Sequence, residues 1–131
     1  MGIVNVTPDS FSDGGKYFSL DNAVDRALKL IDDGADIIDI GGESTRPGSD
    51  PVSADEEINR TIPVIKKITN LRKDVIISID TTKSNVAKQA LDSGAQIIND
   101  ISGLTFDNNM INTAKEFDAA VVIMHIKGNP K

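Results

Sequence analysis

Five short runs of apolar, mostly β-branched residues recur along the chain, each separated from the next by a stretch of helical periodicity. They are "GIVNV" (2–6), "ADIIDIGG" (35–42), "DVIISID" (74–80), "AQIINDIS" (95–102) and "AAVVIMHI" (119–126). Their near-continuous apolar character predicts parallel strands covered on both faces, because a strand with one wet face would alternate. Parallel neighbours need a crossover between them, and the intervening segments supply it.

Each intervening segment reads as a helix. "SLDNAVDRALKLIDDG" lines up Leu20, Ala23, Val24, Ala27, Leu28 and Ile31, with Ser19 as N-cap and Gly34 as the stop. "SADEEINRTIPVIKKITN" opens with a capping box, Ser53 and Glu56, and Pro63 is expected to kink or split it. "KSNVAKQALDSG" carries Val86, Ala87, Ala90 and Leu91 and stops at Gly94. "DNNMINTAKEFD" carries Met110, Ile111, Ala114 and Phe117. The order β-α-β-α-β-α-β-α-β, and the echo between "DDGADIIDIGG" (32–42) and "DSGAQIINDISG" (92–103), favour a repeated βα unit in a parallel α/β sheet or barrel. No linker divides the 131 residues, which are enough for one domain burying roughly two-thirds of its unfolded surface.

Charge and composition remove several classes of function. A net charge of −6 argues against a nucleic-acid or anionic-membrane partner, which needs clustered Lys and Arg. No apolar run approaches the roughly 20 residues of a membrane helix. The absence of Cys excludes disulfides and thiolate metal sites and fits a reduced, cytoplasmic home.

The polar residues are placed asymmetrically. Every strand run ends in them: Asn5, then "GGESTR" at 41–46, then Asp80 and Thr81, then Asn99 and Asp100, then His125. The longest connections, 7–18 and 41–52, leave the same edge, whereas the returns "DDGA" and "DSGA" are short. In open α/β sheets and in barrels, ligands sit beyond the carboxyl ends of the strands, so this edge is the expected functional face.

Five motifs fall on that edge: "MGIVNVTPDSFSDGG", "GGESTRPG", "SIDT", "NDISG" and "HIKGNP". In this order they resemble dihydropteroate synthase over nearly the whole chain. The resemblance implies a TIM-type (βα)8 barrel that joins p-aminobenzoate to the CH2 group of 6-hydroxymethyl-dihydropterin diphosphate, releasing diphosphate in folate synthesis. By the same resemblance Asn5 is a ligand of Mg2+. Thr45 and Arg46 belong to the loop that meets diphosphate and benzoate, and Asp80, Asn99, Ile101 and Met124 line the pterin pocket. Loop 7–15 matches a lid that orders around diphosphate and metal. Its Asp9, Phe11 and Asp13, together with Arg46, are the candidate catalytic residues. Ile126 departs from the family, which usually has Met there.

The residues support this chemistry on their own terms, with plainer readings alongside. The amine of p-aminobenzoate is a weak nucleophile, so the leaving diphosphate must be neutralised. A hard cation such as Mg2+ often takes few protein oxygens beside phosphate and water, and one amide oxygen from Asn5 suits that style. Asn5 could equally end its strand by bonding the loop backbone. Arg46 offers a planar fork for diphosphate or is a solvated loop Arg, and Thr45 is a ligand contact or a turn residue. Asp80 and Asn99 could read the donor-rich edge of a pterin, or Asp80 could cap the helix after "TTKS". Asp39, polar inside an apolar strand, needs a partner and is either support for the pocket or a purely structural group. Asp100 is expected to cap or pair outside the barrel, and His125 to be structural. Phe11 packs on substrate or serves closure of the lid.

The resemblance ends before the family's sixth strand. Residues 1–131 are therefore expected to be the N-terminal part of a pterin-binding barrel domain, truncated before strand 6, with weak or no synthase activity alone. Its "GIVNV" and "AAVVIMHI" strands would be unpaired edges, so a homodimer or a longer chain is expected. The rivals are a pterin-dependent methyltransferase, which has no use for a diphosphate loop such as "TPDSFSDGG", and a non-catalytic pterin-binding fragment.

Overall fold

The computed structural model describes residues 1–6, 15–42, 52–105 and 107–123. The strands are β1 (Gly2–Asn5), β2 (Ile37–Gly41), β3 (Ile76–Asp80), β4 (Ile97–Asp100) and β5 (Ala120–Ile123). The helices between them are α1 (Gly15–Asp32), α2 (Ala54–Leu71), α3 (Ser84–Asp92) and α4 (Met110–Phe117). All four strand pairs are parallel and the order is β1-β2-β3-β4-β5. A sequential order winds the sheet in one direction, as in a TIM-type barrel. A doubly wound sheet would reverse at a switch point. This is the α/β architecture expected from the sequence.

One-way winding leaves the helices on one face, and the strand side chains sort accordingly. Val4, Ile38, Ile40, Ile77, Ile79 and Ile98 are at most 1% exposed. They form the core with Val64, Ile65 and Ile68 of α2 and Val86, Ala87 and Ala90 of α3. Gly2 sits so close under α1 that a Cβ there would meet Leu30 Cδ1 at 2.9 Å. The other face is mixed, which corrects the expectation of strands covered on both sides. It carries buried Asp39, Ser78 and Asn99 but also exposed Ile3, Ile76 and Val122.

The short returns from helix to strand are one motif used three times. Gly34, Gly94 and Asp118 take positive φ, and Ala35, Ala95 and Ala119 donate to the carbonyls of Leu30, Ala90 and Ala114. This is the Schellman closure that satisfies the last helical carbonyls. Gly94 is held by two constraints, because a Cβ at its φ of +125° would also lie 2.8 Å from Thr69 Cγ2.

Four local expectations change. α1 starts at Gly15, so Ser19 lies inside it rather than capping it. Nothing in residues 15–19 opposes helix strongly enough to stop it there. α2 starts where expected, with Ser53 Oγ accepting from Glu56 N–H at 3.1 Å, and then runs unbroken through Pro63. Pro63 and Asn59 are both exposed, so water can satisfy the Asn59 carbonyl that Pro63 cannot. Ile111 is 45% exposed rather than in the core, which Met110 and Ala114 join from α4.

The fourth change concerns capping. Ser84 N–H, at the start of α3, donates to Asp107 Oδ2 at 2.7 Å, and Asn109 N–H donates to Asp107 Oδ1 at 2.9 Å. One carboxylate thus ties α3 to the turn that begins α4. The Ser84 N–H bond holds the Asp107 carboxyl below its ordinary value of 3.8; burial opposes this, and the Ser84 hydroxyl and Asn109 N–H add to the lowering. A lowered carboxyl stabilises the fold above the ordinary value and loses that contribution as pH falls through the lowered one. Asp107→Ala should therefore cost about 1–2 kcal/mol at neutral pH. In urea unfolding followed by circular dichroism, the gap from the parent chain should close in strong acid and persist at pH 7.

Candidate functional site

The register places several polar residues side by side. Asn5 pairs with Gly41, Gly41 with Asp80, Asp80 with Asn99, and Asn99 with Val122. In parallel strands, residues in register point to the same face, here the face away from the helices. Three of the expected site residues, Asn5, Asp80 and Asn99, therefore share one row at the carboxyl edge. Asp80 and Asn99 are direct partners in register and so face the same way.

The row is tightly built around Asp80. A Cβ on Gly41 would lie 3.2 Å from Asp80 Oδ2 and 3.3 Å from Asp80 Cβ, so the missing side chain makes room for the carboxylate. Asn99 is buried at 8% exposure, whereas Asp80 is half-buried and Asn5 exposed. At the start of α3, which the sequence offered as the other role for Asp80, Ser84 N–H goes to Asp107.

One row nearer the amino ends stand Ile3, Asp39, Ser78 and Ile97. Asn99 Nδ2 reaches across β3 and donates to Asp39 Oδ2 at 3.1 Å. Burial pushes the Asp39 carboxyl above its ordinary value, and Ser78 and Asn99 partly hold it down. Ser78 Oγ does so only by proximity, because it meets no atom in full hydrogen-bond geometry among the described residues. Asp39 Oδ1 and Asn99 Oδ1 are likewise buried without a partner there. Buried polar atoms are seldom left unpaired, so this cluster has unmet hydrogen-bonding capacity beside Asp80.

The edge is anchored from the first turns of α2. Glu57, 1% exposed, accepts from Thr81 Oγ1 at 3.0 Å and pairs with Lys83 Nζ. Thr81 Oγ1 in turn accepts from Lys83 N–H at 3.1 Å. Arg60 donates to Gly42 O at 2.9 Å and to Glu56 Oε2 at 2.9 Å. The chain leaving β2 after Gly41 and the chain leaving β3 after Asp80 are thus both bound to one helix. Sequence reasoning did not single out Glu57, because "DEE" in a first helical turn reads as solvated dipole-compensating charge.

Ile101 lies one residue past β4, half-buried, in the turn 101–104. Asp100 is fully buried on the helix side. Its Oδ1 accepts from Ser102 N–H at 2.8 Å and Ser102 Oγ at 2.6 Å, a local turn cap as expected. Asp9, Phe11, Asp13, Thr45, Arg46, Met124 and His125 lie outside the described residues. A separate concavity of about 730 Å3, lined among others by Lys66, Lys73, Thr69 and Gly94, opens at the amino ends of the strands. It is at the far end from the row and holds no residue of the expected site. No helix among the described residues is long and apolar enough to cross a membrane.

Sequential parallel strands with helices on one face and a polar row at the carboxyl edge of the other define a βα-barrel-type domain. The family model for pterin binding enzymes matches residues 1–131. The chain is 59% identical over 125 residues to the dihydropteroate synthase of Bacillus subtilis, covering 95% of this chain and 44% of that protein. Among solved structures, Xanthomonas albilineans dihydropteroate synthase with 4-aminobenzoic acid superposes with a TM-score of 0.89 at 44% identity, covering 100% of this chain and 48% of the other. Dihydropteroate synthase from Anaplasma phagocytophilum with bound 6-hydroxymethylpterin-monophosphate gives 0.87 at 43% identity, covering 97% and 48%. The chain belongs to the pterin binding enzyme family, and it spans just under half the length of these relatives.

Proposed function

We propose that this chain carries the amino-terminal part of a dihydropteroate synthase site, in which Asp80 and Asn99 hold the pterin of a 6-hydroxymethyl-dihydropterin diphosphate. The observation that carries the reading is the pairing of Asp80 with Asn99 in one row. A carboxylate beside an amide carbonyl suits a heterocycle edge rich in N–H donors. The ligands named for the two solved relatives, a pterin monophosphate and 4-aminobenzoic acid, support the same substrate pair.

In the reaction, the amine nitrogen of p-aminobenzoate forms a bond to the pterin CH2, the bond from that carbon to diphosphate oxygen breaks, and the amine loses a proton. Asp80 and Asn99 fix the pterin so that this CH2 faces outward from the carboxyl edge. Ile101 and Met124 pack against the ring. Thr45 and Arg46 take diphosphate and the benzoate, and Asp9, Phe11 and Asp13 close over them.

Mg2+ fits the donor set in a limited sense. The exposed amide of Asn5 offers one hard oxygen at the end of β1, and the described residues contain no cluster of three His, Cys, Asp or Glu able to hold a metal. Such a site suits a cation carried mostly by phosphate and water. When bound it would offset the negative charge of the leaving diphosphate. The reaction uses soluble substrates, which suits a cytoplasmic protein, and a second copy or further chain would cover the outer strands.

Calorimetric titration with 6-hydroxymethylpterin diphosphate tests the reading. Loss of one charged hydrogen-bond partner should weaken binding about 10- to 100-fold in Asp80→Ala. Gly41→Ala should also weaken it, because the new methyl crowds Asp80 Oδ2, while leaving the helix-side core intact. Unchanged affinity in Asp80→Ala would refute the assignment.

A further inference from the structure

We propose that Asp39 is a positioning residue that sets the direction of the Asn99 amide, and so makes Asn99 a hydrogen-bond acceptor toward ligand. The inference rests on the reading of Asn99 as a pterin contact but is argued from the contact between the two side chains.

An amide can face a ligand with its carbonyl or with its NH2, and the two ends differ little in shape. What decides is the group behind it. Asn99 Nδ2 lies 3.1 Å from Asp39 Oδ2, and both residues are buried, at 8% and 3% exposure. A carboxylate accepts only. The neutral acid can donate through its O–H as well as accept, so it is the ionised form of Asp39 that fixes the amide. The reversed amide would set two oxygens against each other in a buried place. Asn99 is therefore held with its NH2 on Asp39, and its Oδ1 lies on the side of the amide away from Asp39. That oxygen has no partner among the described residues. Beside it in the row stands the Asp80 carboxylate, a second acceptor. Asp39 thus gives the row a single polarity, complementary to a ligand edge that donates and repellent to one that accepts.

Asp39 reaches Asn99 from β2 to β4, across β3, and Ser78 of β3 is the residue in register beside Asp39. Its small side chain leaves the path over β3 open. The polarity of the row is in this way determined by a residue that lies one row below it.

The test has two arms that fail independently. In the ligand-free 131-residue chain, the Asn99 side-chain 15Nδ2 resonance should shift with pH along the same curve as the Asp39 carboxyl 13Cγ. A parallel sample carrying Asp80→Asn removes the other carboxylate on this face among the described strand residues. An Asn99 NH2 signal that ignores Asp39 ionisation overturns the proposal, whatever the chain binds. In the second arm, Asp39→Asn should weaken 6-hydroxymethylpterin binding about ten-fold, because the amide behind Asn99 no longer dictates its direction. The urea midpoint should stay near that of the parent. A folded Asp39→Asn chain with parental affinity also overturns the proposal. A parent chain that binds no pterin refutes the proposed function instead, and Asp39 is then judged on the resonance alone.

Discussion

Replacing Glu57 with Ala should lower stability by about 2–3 kcal/mol, read as a fall in urea midpoint at unchanged slope. The carboxylate is buried, so its removal does not simply hand its partners back to water. Thr81 Oγ1, in a residue only 4% exposed, loses its acceptor. Lys83 Nζ loses the opposite charge beside it. Breaking a buried pair from one side costs about 3–5 kcal/mol when the remaining charge is trapped. The Lys83 side chain is 30% exposed and can turn partly outward, which sets the expected value below that range. Glu57→Gln keeps an acceptor for Thr81 and should lose about half as much. Because Thr81 follows Asp80 directly, Glu57→Ala should also weaken pterin binding, whereas a surface change such as Glu116→Ala should do neither. A loss under about 0.5 kcal/mol, the range of ordinary surface substitutions, would mean that α2 does not anchor this edge.

The largest stability effect should come from Ile40→Ala, at about 3–4 kcal/mol. Ile40 is wholly buried on the helix face of β2, a strand flanked by β1 and β3. Removing its three outer carbons leaves a cavity that a sheet hydrogen-bonded on both sides cannot close. Its chain neighbours Asp39 and Gly41 point to the other face, so in the fraction that remains folded the pterin affinity should be nearly unchanged. Ile3, on that other face and 57% exposed, gives the internal comparison: Ile3→Ala should cost under about 1 kcal/mol. Thermal unfolding of the two variants side by side tests the assignment of the two faces. Equal losses would contradict it.

Much of this arrangement was legible in the sequence because the signals are local. Period and composition mark the five strands. Ser53 and Glu56 mark the start of α2 within three residues, and Gly34 and Gly94 mark helix ends through φ values that other residues avoid. The asymmetric placement of long loops and polar strand ends pointed to the carboxyl edge. The motifs then named Asn5, Asp80 and Asn99, and the register brought those three into one row.

What was not legible depends on contacts between residues distant in the chain. Asp107 caps a helix that begins 23 residues earlier, which no local pattern signals. Glu57 is one of three acids in the first turn of α2, and only its position over Thr81 and Lys83 buries it. Asp39 could be read as support or as structure until its partner on β4 was known. Ile111 fits the apolar stripe of its segment by spacing, yet α4 has only eight residues and turns Met110 and Ala114 to the core instead. The apolar runs suggested two covered faces because Ile3, Ile76 and Val122 interrupt what would otherwise be a polar alternation. Asp118 does the work of a C-terminal glycine with φ of 52°, so the third return lacked the glycine signal of the other two.

The most direct measurement is the set of nuclear Overhauser contacts between the ring and methylene protons of bound 6-hydroxymethylpterin and the isotope-labelled chain. The account predicts contacts to the Asn99 β-protons, to the Asp80 β-protons and to Gly41. Contacts instead to Lys73, Gly94 and Thr69, around the concavity at the amino ends of the strands, would contradict it.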